Sequence, residues 1–440
     1  MIETITKVLY QMKNALSFLF DKKILRNIYM LFSGEIVSKA IAFVTVVYLA
    51  RMISAEGFGI LGFTSGFLSY FLLLVGFGLE TYGMREAALS LDDSGKTSRL
   101  VNGIITVRLV LAAVSYILLV VIVVILDKPL LTKCVLLVSG LNFFPAALLL
   151  NWFYQGRERM KVVAARNIGM NVLVLAGTYI FVKSGDDLLR AVIIPVVSAA
   201  VISLSLLKHY SGRYSKIRLM TDYKYLRELM RASYPLFFSS LMISVYYNLD
   251  IVMLGYFRTD AETGIYNAAV KIFLLSTVPY QIILTSFFPS LSKNKPDGSS
   301  EFRLIIYRYG IIMAGAGIVL SGIIFSFPSE ILQIIFGESY LSAIGPLKIL
   351  ALNSLVVSVN IFFGNPLIAW GRQKAYAITV TLGAVTNIVL NILLIPEYSY
   401  MGASFATLLS ETVVFCGVFY VYNTLLYKAT SNRYSSKLPF

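Results

Sequence analysis

Eight ionisable residues stand inside long apolar runs of this chain, where a charge is costly and needs a reason. Five are cations (Lys39, Arg108, Lys271, Arg308, Lys348) and three are acids (Glu35, Asp250, Glu411). In hydrocarbon each costs a few kcal/mol or more, so such groups face a bundle interior, a wet cavity or one another. At ~1.5 Å of rise per residue, Lys39 and Glu411 lie roughly 13 Å from the nearer membrane face, with Arg108 slightly shallower. Asp250 and Lys271 lie roughly 9 Å deep by the same arithmetic. Glu35, Arg308 and Lys348 sit closer to a face, where a long side chain can reach the interface, and Glu35 and Lys39 are also spaced for a local helix pair. Two readings stay open for the deep residues: the lining of a central cavity, or structural ion pairs inside a bundle. A cavity with this excess of cations favours an anionic substrate.

Amides and tyrosines share these runs, among them Tyr246, Tyr247, Asn248, Tyr280, Gln281, Asn353, Asn360, Asn387 and Asn391. Facing lipid they would be expensive; facing a cavity they suit sugar hydroxyls, and facing another helix they suit interhelical hydrogen bonds. Other chemistries are poorly served. Cys134 and Cys416 fall in apolar runs with no CxxC spacing or histidine beside them, which leaves no pattern for a disulfide, metal or redox site. The single histidine, His209, falls in a polar connection, so a histidine relay within the membrane is not expected. There is no nucleotide-binding loop, no catalytic constellation and no basic patch with interleaved aromatics, so no cofactor, enzymatic site or nucleic-acid partner is expected.

The elements that must position these residues are membrane helices. The 440-residue chain is 58% hydrophobic and only 14% charged, too apolar for a soluble protein of this size. Spanning ~30 Å of hydrocarbon takes about 20 helical residues. Twelve runs qualify, at roughly 30–50, 60–79, 101–126, 130–153, 164–182, 188–207, 233–256, 265–290, 304–327, 345–369, 375–395 and 402–427. Ahead of them, residues 5–20 pattern as an amphipathic helix lying on the membrane surface. Of the 38 lysines and arginines, 27 fall at the termini and in alternate connections, which predicts cytoplasmic termini. The expected organisation is an N-terminal segment over 1–25, a first lobe of six helices over 26–207, a basic linker over 208–232 suited to a surface helix on an anionic leaflet, a second lobe over 233–427 and a cytoplasmic tail over 428–440. Six helices per half insert with the same orientation, giving parallel repeats. Two echoes support the repeat: SAEGFGILGF (54–63) against the turn after span seven, with Ala55-Glu56 against Ala261-Glu262 and Gly59-Ile60 against Gly264-Ile265, and WFYQGRERM (152–160) against LIAWGRQKA (367–375). Prolines inside runs (Pro145, Pro195, Pro279, Pro289, Pro366) mark candidate bends.

The strings YLARMISAEGFGILGF, WFYQGRERM, LDIVMLGYFRTDAETGIYNAAVKI and AWGRQKAYAITVTLGAVTNIVLNILLIPEYSYMGASFATLLSE, in that order from the first span to Glu411, resemble the polysaccharide-export branch of the multidrug/oligosaccharidyl-lipid/polysaccharide exporter (MOP) superfamily. More narrowly they resemble its O-antigen flippase (Wzx) group. The resemblance implies an all-α polytopic fold of about 12 transmembrane helices, two six-helix lobes around a central cavity as in MATE transporters, working by alternating access in the bacterial inner membrane. It implies an undecaprenyl-pyrophosphate-linked oligosaccharide as substrate, membrane lipids around it and a polysaccharide polymerase as a partner. It offers Lys39, Arg108, Lys271 and Arg308 as contacts for the pyrophosphate and sugars. Ion coupling would use Asp250 or Glu411 as the titrating carboxylate. The competing functions are a multidrug antiporter of the same fold, which would prefer an acidic aromatic cavity, and a membrane glycan polymerase, which would need a larger outer loop than residues 328–344 provide.

Overall fold

The computed structural model describes residues 22–90, 93–293 and 300–435. The surface helix expected over residues 5–20 lies outside them, and so does the side chain of Glu35. The described chain is almost entirely helical. This follows from the solvent: hydrocarbon offers backbone amides no partner, so each span must satisfy its own.

In chain order, α1 covers Lys22–Met52, α2 Ala55–Gly76, α3 Leu79–Leu89 and α4 Ser94–Ile125. The fourth pass is broken into α5 (Leu130–Gly140), α6 (Phe143–Ala147) and α7 (Asn151–Gly156). Then come α8 (Met160–Phe181), a 3-10 turn at Gly185–Asp187, α9 (Leu188–Arg213), α10 (Tyr223–Phe257), α11 (Asp260–Lys293), α12 (Ser300–Ser326), α13 (Pro328–Ile335), a second 3-10 segment at Glu338–Ala343, α14 (Ile344–Ala369) and α15 (Gln373–Ser435). Among the described residues, nine helices are long and apolar enough to cross a membrane, and α10, which bends between Met242 and Ser244, makes a tenth. Within α15 two helices meet at a kink at Ser399, where φ is 51°, and its apolar 53 residues are long enough for two passes. With the 31 residues of α1, the chain is an all-α polytopic membrane protein of about twelve spans.

The chain forms two compact units. The first takes in Met1–Met52 and Tyr70–Leu241, the second Ile53–Ser69 and Met242–Phe440. Helices α2 and α10 therefore contribute one end to each. The first unit is centred on an aromatic knot in which Trp152, Phe153, Tyr154 and Tyr210 pack with Leu100, Ile104 and Leu229. His209 falls on the last turns of α9, which runs on to Arg213, and its Nδ1 lies 2.7 Å from the Tyr154 hydroxyl. In the second unit Tyr280, Tyr309 and Met313 pack together, as do Leu367, Val414, Val418 and Tyr422.

Two local features differ from the sequence expectation. The basic linker forms no separate surface helix. Its first residues extend α9, residues 214–222 are non-helical, and α10 starts at Tyr223. Residues 214–222 form a strap whose amides are taken up by side chains of α4: Arg218 N–H donates to Asn102 Oδ1 (3.1 Å) and Met220 N–H to Thr106 Oγ1 (3.0 Å). These bonds compete directly with helix formation, and Asp222 then caps α10 by accepting from the Tyr225 amide at 3.2 Å. Pro145 does more than bend its span: it sits in α6, a five-residue helix isolated by breaks on both sides.

The echoed turns meet within the second unit. A Cβ on Gly59 would lie 1.7 Å from the Asp260 carbonyl oxygen, and one on Gly264 would lie 1.9 Å from that of Ala55. Gly59 and Gly264, like Ala55 and Asp260, are separated by the same sequence offset, so the contact is reciprocal. Only glycine permits such an approach of two helix starts. The Asn267 amide closes it by donating to the Phe58 carbonyl (3.2 Å).

Candidate functional site

Polar spacing of four residues recurs on three helices of the second unit: Tyr246 and Asp250 on α10, Asn387 and Asn391 on the first arm of α15, and Thr407 and Glu411 on its second arm. Residues four apart share a helix face, and packing brings these faces together. Asp250, 8% exposed, accepts from Tyr266 (3.1 Å), from Thr407 (2.5 Å) and from the Asn391 amide, which in turn donates to Asn387 Oδ1 (3.0 Å). One helical turn away, about 6 Å along the axis, the Glu411 carboxylate accepts from the Asn360 amide at 2.5 Å and lies beside Tyr246, Tyr247 and Tyr376.

Among the described residues neither carboxylate makes an ion pair or meets a cationic donor. Neutral hydrogen bonds alone do not offset the cost of a buried anion; it needs a proton, a bound cation or a paired residue. Lys271 does not supply one. It follows Tyr266 by five residues on α11, about 140° round the helix, and is half-buried with no hydrogen bond or ion pair among the described residues. Arg308 is exposed on α12, also unpaired among the described residues. Lys348 is exposed and rests over the Phe325 ring at 5.6 Å.

Arg108 and Lys39 belong to the first unit. Arg108 is 2% exposed, and both terminal nitrogens of its guanidinium are occupied. It pairs with Glu80 at 2.8 Å and donates to the carbonyls of Ala146 (2.6 Å) and Leu149 (3.2 Å). Those carbonyls belong to the broken fourth pass, where the regular helical ladder is interrupted: Ala146 O also accepts the Leu149 N–H at 3.2 Å, and Pro145 O accepts the Leu148 N–H at 3.2 Å and the Ser203 hydroxyl at 2.8 Å. Arg166 also lies within electrostatic reach of Glu80, so two guanidiniums surround one half-exposed carboxylate. Lys39 is exposed on α1, beside Ser38, which donates to Asn167 O (3.2 Å) and accepts from Asn171.

The six sequence candidates are thus distributed over separate places: Asp250 and Glu411 are neighbours, Lys271 and Arg308 stand apart from them, and Arg108 and Lys39 lie in the other unit. Sequence reasoning missed Glu80, Arg166, Tyr266 and Thr407. The four-residue spacing of Thr407 to Glu411, matched by Tyr246 to Asp250, was the available signal for the last. Glu80 and Arg166 stand at the edges of the apolar runs over 60–79 and 164–182 and carried none.

The model of a family described as polysaccharide biosynthesis proteins matches residues 24–295. The chain belongs to this family. Among curated relatives of this chain, a putative O-antigen transporter of Shigella dysenteriae is 24% identical over 88% of this chain and 97% of its own length. Another of the same description, from Escherichia coli K12, is 23% identical over 84% and 89%. A probable low-salt glycan biosynthesis flippase of Haloferax volcanii is 26% identical over 59% of this chain and 54% of its own. Among solved structures, the lipid II flippase MurJ in an inward closed conformation superposes with a TM-score of 0.72 at 13% identity, covering 94% of each chain. An inward-facing MATE-family multidrug transporter superposes with a TM-score of 0.70 at 11% identity, over 88% of this chain and 95% of that one. The fold is therefore the one shared by MurJ and the MATE transporters of the MOP superfamily.

Proposed function

We propose that this protein is a flippase, a transporter rather than an enzyme, that moves an undecaprenyl-pyrophosphate-linked oligosaccharide from the cytoplasmic to the outer leaflet of the bacterial inner membrane. The observation that carries this reading is Lys271, a cation half-buried within a span, without a counter-ion among the described residues. A cation held in that setting gains most by meeting an anion. The full-length similarity to putative O-antigen transporters supports a glycan-linked anion, and the pyrophosphate is the group with the right charge. Lys39 and Arg308 are further contacts in this reading, and Arg108 contributes if Glu80 releases it. The excess of basic residues in alternate connections supports cytoplasmic termini.

Transport follows alternating access, in which the lobes over 26–207 and 233–427 rock while the head group crosses and the prenyl tail stays in lipid. Asp250 and Glu411 couple this to a monovalent cation, proton or sodium, because a carboxylate buried with neutral donors favours whichever state lets a cation reach it. One such charge moving down ~100 mV supplies about 2.3 kcal/mol, roughly a fifty-fold bias between two states. The translocated unit is then available to a polymerase on the outer side.

The test is a deletion strain. Mass spectrometry of extracted polyprenyl-linked sugars should show a complete, unpolymerised repeat unit accumulating, inaccessible to an outer-leaflet probe, while the surface polymer is lost. Unchanged lipid-linked sugars with intact surface polymer would refute the proposal, and accumulation in the outer leaflet would assign the protein to polymerisation instead.

A further inference from the structure

Where the strap over residues 214–222 crosses the first turns of α4, it leaves a cleft of about 640 Å³. Lys216 and Arg218 project into it from the strap, and Ser98, Arg99 and Asn102 from α4. In an extended segment alternate residues share a side, so the two strap cations line the cleft together. The spacing is fixed by construction: the Arg218 and Met220 amides are tied to Asn102 and Thr106, one turn apart on α4. Arg99 is held in place by Asp222 at 2.8 Å and by the Tyr225 ring at 4.3 Å. Lys216 and Arg218 are exposed and make no ion pair among the described residues. With Asp222 neutralising Arg99, the cleft keeps an excess of two positive charges, with hydroxyl and amide donors beside them.

We infer that this cleft binds the phosphate of an anionic membrane phospholipid. The chemistry of the lining is that of a phosphodiester site: two mobile cations, a braced guanidinium and short donors. Leu219 on the strap and Tyr223, the first residue of α10, indicate where the phosphate comes from. Leu219 is 67% exposed and Tyr223 81% exposed, an apolar and an aromatic side chain standing free beside the start of a membrane helix, as residues do at the level of lipid headgroups. A basic pocket between helices at that level meets phospholipid before it meets anything dissolved. Occupation of the cleft would tie the strap to α4 and so brace the start of α10. The cytoplasmic placement of the strap rests on the proposed orientation, but binding itself can be read without transport.

The experiment uses the purified full-length protein in a nonionic detergent, with dioleoylphosphatidylglycerol as the probe, dioleoylphosphatidylcholine as the zwitterionic comparison and native mass spectrometry as the readout. Lys216→Ala with Arg218→Ala should weaken phosphatidylglycerol binding at least tenfold and leave phosphatidylcholine unchanged. Arg372→Ala with Lys374→Ala removes the same charge from another connection and should change binding less than twofold. Equal losses in the two double variants would overturn the site in favour of general attraction. Displacement of the bound lipid by 10 mM inorganic phosphate would overturn the lipid assignment and make free phosphate the ligand. Neither result depends on whether the protein flips a glycan.

Discussion

Replacing Arg108 by methionine separates a residue that holds the fold from one that meets substrate. The substitution keeps the volume of the stem but removes every donor. Leu149 O loses its guanidinium donor, Ala146 O keeps only the Leu149 N–H at 3.2 Å, and Glu80 loses one of its two guanidinium neighbours. An orphaned buried acceptor costs about 1–3 kcal/mol, although hydrogen bonds measured inside membrane proteins average nearer ~0.6 kcal/mol. Glu80 is 51% exposed and can hydrate, so its contribution stays below about 1 kcal/mol. With one acceptor orphaned, the total is about 1–3 kcal/mol, a sizeable part of the ~5–15 kcal/mol that holds a domain together. A loss of that size lowers steady-state abundance several-fold. The assay is the amount of tagged protein in membranes together with its melting temperature in detergent. Arg108→Met should fall in both, and export per molecule should fall less than abundance does. If Arg108→Met accumulates and melts like the parent yet exports nothing, the carbonyl-capping argument is wrong and Arg108 is a substrate contact.

Lys271→Ala breaks no bond among the described residues, so it should accumulate and melt normally while export drops at least tenfold, with Lys271→Arg retaining part of it; normal export in the alanine variant would count against the anion site. Asp250→Asn and Glu411→Gln keep shape and most hydrogen bonds, so both should fold, and export in at least one should lose its dependence on external pH or sodium in inverted-vesicle assays; an unchanged ion dependence in both would remove the coupling role. Gly264→Val must push its Cβ against the Ala55 carbonyl, where even the first carbon has only 1.9 Å, and should destabilise by several kcal/mol, seen as loss of membrane-inserted protein, whereas Gly212→Ala, with open space around it, should be silent. The Tyr225 amide, then Arg99, holds the Asp222 carboxyl below its ordinary range. Its stabilising effect is therefore present above that range and lost as pH falls through the lowered value, so the melting difference between the parent and Asp222→Asn should be largest near neutrality and vanish in acid.

Much of the fold was legible because hydrocarbon enforces one rule, helices with paired backbones, and helix length follows from membrane thickness. The gap between the apolar runs over 101–126 and 130–153 is also the break between helices, since α4 ends at Ile125 and α5 begins at Leu130. The strap was not legible, since its conformation depends on Asn102 and Thr106, more than a hundred residues away in sequence. Of the candidate site, the acids were visible as charges in apolar runs. The donors that surround Asp250 come from three other stretches of chain, and only packing could select Asn391, Tyr266 and Thr407 from the many polar residues available. Arg108 was visible as a deep cation, but its attachment to α6 depends on a break that Pro145 only hinted at.

The meeting of Gly59 with Asp260, and of Gly264 with Ala55, is what a two-fold symmetric dimer of half-length chains would make from one self-complementary surface. In such an ancestor any substitution would strike both sides of the contact at once. Joined in a single polypeptide, the two copies are free to diverge, and they have: Thr45 stands at the offset of Asp250, and Gly66 at that of Lys271. In the function proposed above, fusion gives the transporter something a homodimer cannot have: a cation site and an anion site built once each, while the glycine contact between the two copies keeps its original symmetry.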